Sequence, residues 1–262
     1  MTLSIRLRRR DARTVLFILL GVEAVLAIAY LEAHVIGIGL PWGPFRVWVD
    51  LNGDLSLPAW FSAMQLFTVG ALWGMAAYVN RHREQVSSAF LAAVGMGFVF
   101  LSADEGSMIH ERITLAAKML GADALLIRDH GAWISIYGTA AVGALFLSGG
   151  HLRRLWGHNA RSVLLGGLGA AVYVGGAVGV EVLGYLFLGD GAAPRLASGQ
   201  VLVEESLEMV GVSLILYGTL LLLRSVGGTV PSEPSGSGGT EGRARPRPAA
   251  SLRTGRSDRL QA

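Results

Sequence analysis

The stretch "SAFLAAVGMGFVFLSADEGSMIHE", residues 88–111, begins as a membrane span and ends as a cluster of acids. No charged side chain occurs from Ser88 to Ala103, and then Asp104, Glu105, His110 and Glu111 follow in quick succession. At about 1.5 Å per helical residue, such a run covers most of a hydrocarbon core about 30 Å thick. The chain therefore carries carboxylates to the edge of a bilayer, where an unpaired charge is expensive to desolvate. The composition agrees with this reading. Of 262 residues, 52% are hydrophobic and 16% charged, with a mean hydropathy of +0.50. A soluble domain carries roughly 25% charged residues. The chain is expected to be an integral membrane protein.

Working outward, apolar segments occupy approximately 14–38, 58–80, 87–110, 131–150, 162–188 and 201–224. Each approaches or exceeds the roughly 20 residues needed to cross a bilayer. Polar breaks separate them, among them "RHREQ" at 81–85 and "HLRRLWGHNAR" at 151–161. The expected fold class is all-α: a polytopic transmembrane helix bundle with six spans. A basic N-terminus, 1–13, precedes the membrane domain, 14–224. The Gly-, Ser-, Pro- and Arg-rich segment 225–262 follows, with too few large apolar residues to fold, and is expected to be a disordered basic tail. A rival reading exists for the start. "RLRRRDARTVLFILL" followed by "AIA" at 27–29 has the form of a signal peptide, although Glu23 interrupts its apolar region. There is no cysteine, which excludes disulfides, thiolate metal sites and cysteine nucleophiles. The net charge of +3 arises from helix flanks and the tail, and it does not indicate nucleic-acid binding.

Orientation follows from lysine and arginine. With the N-terminus inside, eleven flank the cytoplasmic side and five the opposite side, and the other six lie in the tail. This favours a multi-pass protein of the inner (plasma) membrane with both termini cytoplasmic. Trp42, Trp48, Trp60 and Trp133 then fall at the outer interface, where indoles prefer to sit. The acids collect in one layer. Asp104 lies roughly 25 Å along the third span and Glu181 roughly 28 Å along the fifth. Glu204, Glu205 and Glu208 occupy the start of the sixth, Glu32 and His34 end the first, and Asp129 and His130 open the fourth. Thirteen acids meet five bases on this outer side. With so few partners, some carboxylates must be protonated, hydrated or bound to a cation. Glu23, in mid-membrane, reads as a protonated structural carboxyl outside this site.

Helix geometry selects the candidates. If the third helix is continuous, Asp104 and Glu111 lie within about 20° of each other, Glu105 shares a stripe with Arg112, and His110 points elsewhere unless Gly106 distorts the helix. Glu204, Glu205 and Glu208 fall within an arc of about 100°. Gly175 and Gly179 form a G-x-x-x-G beside Glu181, a close-packing signature in membranes. The candidate cation site, with a divalent metal ion as the expected cofactor, comprises Asp104, Glu105, His110, Glu111, Glu181, Glu204, Glu205 and Glu208. The match to di-metal bundle proteins is incomplete, because Glu-x-x-His is absent. A non-metal alternative is an acid-lined vestibule or proton relay. Another is a zinc held by His34, His110 and His130. For Glu204 and Glu205 a first-turn position would be favoured by the helix dipole alone. Glu105 with Arg112 could be a plain ion pair. The single lysine, Lys118, lies in an outer stretch, which excludes a retinal Schiff base in a last helix.

"DLNGDLSLPAWFSAMQL" (50–66), "FLSADEGSMIHE" (100–111), "AVYVGGAVGVEVLG" (171–184) and "VEESLEMVGVSLILYG" (203–218) resemble motifs of an uncharacterised group of bacterial multi-pass membrane proteins. The resemblance covers spans two to six and carries no activity. It implies a membrane location and a shared acidic site at Asp54, Asp104, Glu105, His110, Glu111, Glu181, Glu204, Glu205 and Glu208. Two functions are open for a cation site: membrane-embedded catalysis, with metal-activated water and Glu111 as base, or transport coupled to a proton or small cation through Glu181 and Glu208. The contrasting function is a non-catalytic subunit that recruits a partner through its acidic outer face or basic tail. The lipid bilayer is the one partner the composition requires, and no oligomeric state follows.

Overall fold

The structure, a computed structural model, describes residues 8–37, 43–53, 55–81, 86–122, 131–188 and 192–227, the side chain of Pro44 excepted. Every regular element among them is helical. Helix α1 is Arg9–Tyr30 and continues as a π-helical turn, Leu31–Ile36, and a 3-10 helix follows at Gly43–Val49. Helix α2 is Leu57–Asn80, α3 is Ser88–Ser107 and α4 is Ile109–Met119. Helix α5, Ala132–Val174, runs into π-helical Gly175–Val180, the short α6 at Glu181–Leu183, and a further π-helical turn, Gly184–Leu188. Helix α7, Pro194–Gly227, closes the described chain. Among the described residues five segments are long and apolar enough to cross a membrane: Arg9–Ile36, Leu57–Asn80, Ser88–Ser107, Ala132–Leu188 and Pro194–Val226.

The fourth of these, 57 residues long, is not one rod. Asn159 leaves the helical region at φ −153°, ψ 79°. Its Oδ1 accepts from the Ser162 backbone N–H at 3.1 Å, as an N-cap does, and its Nδ2 donates to the Leu221 carbonyl at 3.2 Å. The chain folds back there. Trp133 Nε1 lies 3.4 Å from Glu181 Oε1, 48 residues later, whereas a straight helix would hold these residues about 72 Å apart. The polar break expected at 151–161 has thus shrunk to a single non-helical residue.

Packing is organised around α7, the most enclosed segment. The second arm of α5 runs antiparallel to it with hardly a side chain between. A β-carbon at Gly211 would sit 2.5 Å from the Tyr173 backbone nitrogen, and one at Gly169 would sit 2.6 Å from the Gly211 carbonyl oxygen. Ser162 Oγ donates to the Gly218 carbonyl at 2.6 Å, and Gly176 abuts the Glu204 carbonyl. Ser162, Gly169 and Gly176 are spaced by seven and face Gly218, Gly211 and Glu204, also spaced by seven. This is the stripe of a left-handed helix pair built from small residues. The expected G-x-x-x-G does not make this contact. At both Gly175 and Gly179 a β-carbon would meet nothing within 4 Å. A four-residue spacing was read where the interface repeats every seven.

Helices α2 and α3 pair in the same antiparallel way through Gly70 and Gly95, and Ser102 Oγ donates to the Ala63 carbonyl at 2.7 Å. Apolar clusters fill the rest. Leu66, Val69, Val212 and Leu216 form one with Ala12 of α1, and Ala76, Leu91, Leu155, Leu222 and Leu223 form another near the arginine-rich end. Phe17, Val25, Ile28, Phe146 and Leu147 are exposed, as side chains turned to lipid would be. The tail expected to be disordered lies, from residue 228 onward, outside the described residues, while 225–227 extend α7.

The glycine stripe has a direct test. Gly211→Ala places a methyl against backbone and is expected to destabilise the protein by about 1–3 kcal/mol. Gly166→Ala, where a β-carbon would meet nothing within 4 Å, is expected to be neutral or stabilising. Thermal unfolding in detergent separates the two.

Candidate functional site

Sequence places the acids at one end of the bundle, and the structure shows which of them meet. Helix α3 ends at Ser107 because Met108 adopts the left-handed conformation, φ 54°, ψ 41°. A non-glycine residue there is uncommon. The break comes at Met108 and not at Gly106, and α4 restarts at Ile109 in a new direction. Asp104 fills the gap. Its Oδ1 accepts from the His110 backbone N–H at 2.8 Å and lies 3.3 Å from His110 Nδ1. The helix is therefore not continuous, and the expected pairing of Asp104 with Glu111 on one stripe is lost. Glu111 is exposed in the first turn of α4, and Asp104 is buried against the imidazole that was expected to point elsewhere.

From His110 a line of aromatic side chains leads across the bundle. The His110 ring meets the Trp133 ring edge-on at 5.5 Å, and Trp133 donates through Nε1 to Glu181 Oε1. The Tyr185 hydroxyl donates to the same oxygen. Tyr137 lies edge-on to Trp133 at 5.7 Å, and its hydroxyl faces the Asp104 carboxylate. Glu181 sits in one helical turn flanked on both sides by π-helical turns. Such widened turns are rare and occur often at functional positions.

Across Gly176 stands α7. A β-carbon at that glycine would lie 2.8 Å from the Glu204 carbonyl and 3.1 Å from Glu208 Cγ. Gln200 donates to Glu204 Oε2 at 3.4 Å and presses on Gly184, where a β-carbon would overlap its amide. Glu205 and Glu208 each lie within Coulombic reach of Glu105 and Glu204, and Glu181 is within reach of Glu204 and Glu208. All four acids of α6 and α7 are half-buried. Among the described residues none of these four is paired with a lysine or arginine. Because α7 starts at Pro194, Glu204 and Glu205 stand about three turns into it, beyond the reach of a first-turn dipole effect.

Among the described residues no three His, Asp or Glu side chains converge as metal ligands. One oxygen of Glu181 serves Trp133 and Tyr185, Glu204 is bonded by Gln200, and Asp104 is committed to His110. The His34, His110 and His130 alternative lies partly outside the described residues. His34 stacks on Tyr30 at 4.5 Å and lies 3.9 Å from Asp50, while His130, like Asp54 and Asp129, lies outside the described residues. Trp133, Tyr185 and Gln200 were not among the expected site residues. Two of them were legible, since Tyr185 follows Glu181 by four and Gln200 precedes Glu204 by four, the spacing of one helix face.

A domain of unknown function, DUF8692, matches residues 15–222. The chain belongs to the DUF8692 family. The match takes in every helix described above and includes the first apolar segment, which the motif resemblance had left out. No curated protein and no solved structure matches this DUF8692 chain.

Outside the spans, the His110 imidazole offers a check on the site. Burial lowers its pKa, but the hydrogen bond and charge of Asp104, with the charges of Glu105 and Glu111, outweigh burial and leave it above the ordinary 6.5. A group whose folded pKa is raised stabilises the fold below its unfolded value, and that contribution is lost as pH rises through the folded value. An NMR titration is expected to place His110 above 6.5 in the wild type, and lower in Asp104→Asn. Asp104→Ala, which also removes the bond to the His110 backbone, is expected to cost about 0.5–2 kcal/mol.

Proposed function

We propose that this DUF8692 protein is an ion-coupled membrane transporter whose acid chamber takes up protons in exchange for a small cation from the extracytoplasmic side. The observation that carries this is the junction at Gly176. There Glu181 on one helix and Glu204 and Glu208 on the next share a half-buried space with no lysine or arginine paired to them among the described residues, and the His110 imidazole is the basic group whose charge reaches Glu181 and Glu204. Carboxylates in that position are neutral only with a proton or a cation bound, and exchanging one for the other is the elementary act of a coupled carrier. Glu181 is the central group. Trp133 and Tyr185 both donate to one of its oxygens, so the second remains for exchange. The flanking π-helical turns supply a backbone that can change register locally.

In this reading the reversal at Asn159 makes 132–188 two crossings and the bundle six spans. The bonds of Glu23 to α2 and α7 support α1 as a retained span and not a cleaved leader. The arginine excess at the opposite end supports cytoplasmic termini in an inner membrane. Catalysis is less well supported, because the site offers neither a nucleophile paired with a base nor a set of oxyanion donors.

The test uses purified protein in liposomes that hold a pH-sensitive dye, with gradients of sodium, potassium, magnesium or manganese imposed one at a time. At least one cation is expected to drive proton counterflow, which Glu181→Gln with Glu208→Gln reduces roughly tenfold or more, while Glu111→Gln leaves it nearly unchanged. Wild-type liposomes inert to every cation, or counterflow that survives the double substitution, would overturn the proposal.

A further inference from the structure

A second polar site lies away from the acid chamber and touches none of its residues. Glu23 of α1, Gln65 of α2 and Ser213 of α7 are 3%, 3% and 0% exposed. Ser213 lies five residues along α7 from Glu208, the innermost acid of the chamber, about 7.5 Å deeper. Their bonds can be counted completely. Gln65 Nε2 donates to Glu23 Oε1 at 2.8 Å and to Ser213 Oγ at 2.9 Å, which uses both amide hydrogens. The Ser213 hydroxyl donates to Glu23 Oε1 at 2.6 Å, which uses its only hydrogen. Two atoms are left over, Glu23 Oε2 and Gln65 Oε1, both buried and both without a partner among the described residues.

Both leftover atoms accept hydrogen bonds, and every donor in the group is spent. An apolar interior tolerates such orphans poorly. A proton on Glu23 Oε2 turns one of these orphan acceptors into a donor. With the Gln65 amide turned over, two oxygens would face each other at 2.8 Å, and again one hydrogen between them would be required. No lysine, arginine or histidine supplies it. Only Ser213 and Gln65 act on the Glu23 carboxyl, from the two helices packed on this face of α1, and no charged group of any element does so among the described residues.

We propose that Glu23, Gln65 and Ser213 form a proton-binding site in the centre of the bundle, occupied at neutral pH, with the proton on the Glu23 carboxyl. The site also fastens α1. Only Ala12, Glu23 and Tyr30 of that helix are buried, so the neutral carboxyl is its one buried polar tie in the apolar middle of the bundle. Loss of the proton would leave a bare carboxylate there and loosen α1 from α2 and α7. This inference does not depend on the transport reading.

Infrared difference spectroscopy of the full-length protein in lipid at neutral pH tests it. Wild type minus Glu23→Gln is expected to show a protonated carboxyl C=O band that shifts in heavy water and is indifferent to sodium. Ser213→Ala is expected to keep the band but move it to higher frequency, because the carbonyl oxygen loses one donor. That variant covers the case in which Glu23→Gln fails to fold. Glu23→Gln is itself expected to melt near the wild-type temperature, since its amide supplies the missing hydrogen, and Glu23→Leu well below it. A carboxylate signal in place of the acid band, an acid band that sodium removes, or a band that Ser213→Ala leaves unmoved would each overturn the proposal.

Discussion

The contact between the second arm of α5 and α7 is made largely by backbone. At Gly169 and Gly211 there is no room for a methyl group, and at Ser162 the only side chain present donates to the opposing chain. In lipid, apolar side chains gain little by leaving the bilayer for each other, so helices associate through close van der Waals approach and bonds between helices. The stripe supplies both. It also fixes rotation and height, because small residues every seven positions admit only one register. Glu204 and Glu208 are thereby held opposite Gly176, one turn from Glu181. Every property assigned to the acid chamber depends on that register.

Helix α7 serves two polar sites of different character. Toward its start it presents Glu204, Glu205 and Glu208 to a half-buried space at the acidic end, where charges reach one another. Further along, Ser213 joins a closed triad with one carboxyl and no charge nearby. Burial decides the contrast. A half-open cluster can be relieved by water and exchanging ions, whereas an enclosed carboxyl must satisfy its atoms permanently.

Much of this was legible in the sequence, and what was not has identifiable causes. Runs of apolar residues marked the spans because bilayer thickness sets their length. The gathering of Glu181 with Glu204 and Glu208 followed from their depth alone. The orientation of His110 did not, since nothing in "GSMIHE" announces that Met108 and not Gly106 takes the left-handed turn. The glycine spacing was read at four instead of seven because Gly175 and Gly179 are the conspicuous pair, whereas the interface stripe begins at a serine, Ser162. The start of α7 at Pro194 was hidden because "PRLASGQ" carries the helix outward by about two turns without an apolar run to mark it. For Glu23, the sequence showed a lone acid in a hydrophobic run. Its partners lie 42 and 190 residues away and are visible only once the helices are packed.

The reversal at Asn159 has a consequence for how the chain is made. One residue outside the helical region separates two long apolar arms, and its side chain is spent on capping the second and gripping α7. No exposed loop remains for a protease to enter or for an inserted domain to occupy. The two arms can take their places beside α7 only as one hairpin, each setting where the other lies. Biogenesis of the acidic end is then tied to a polar residue at the far end of the same hairpin, since Trp133 and Glu181 meet only if Asn159 turns.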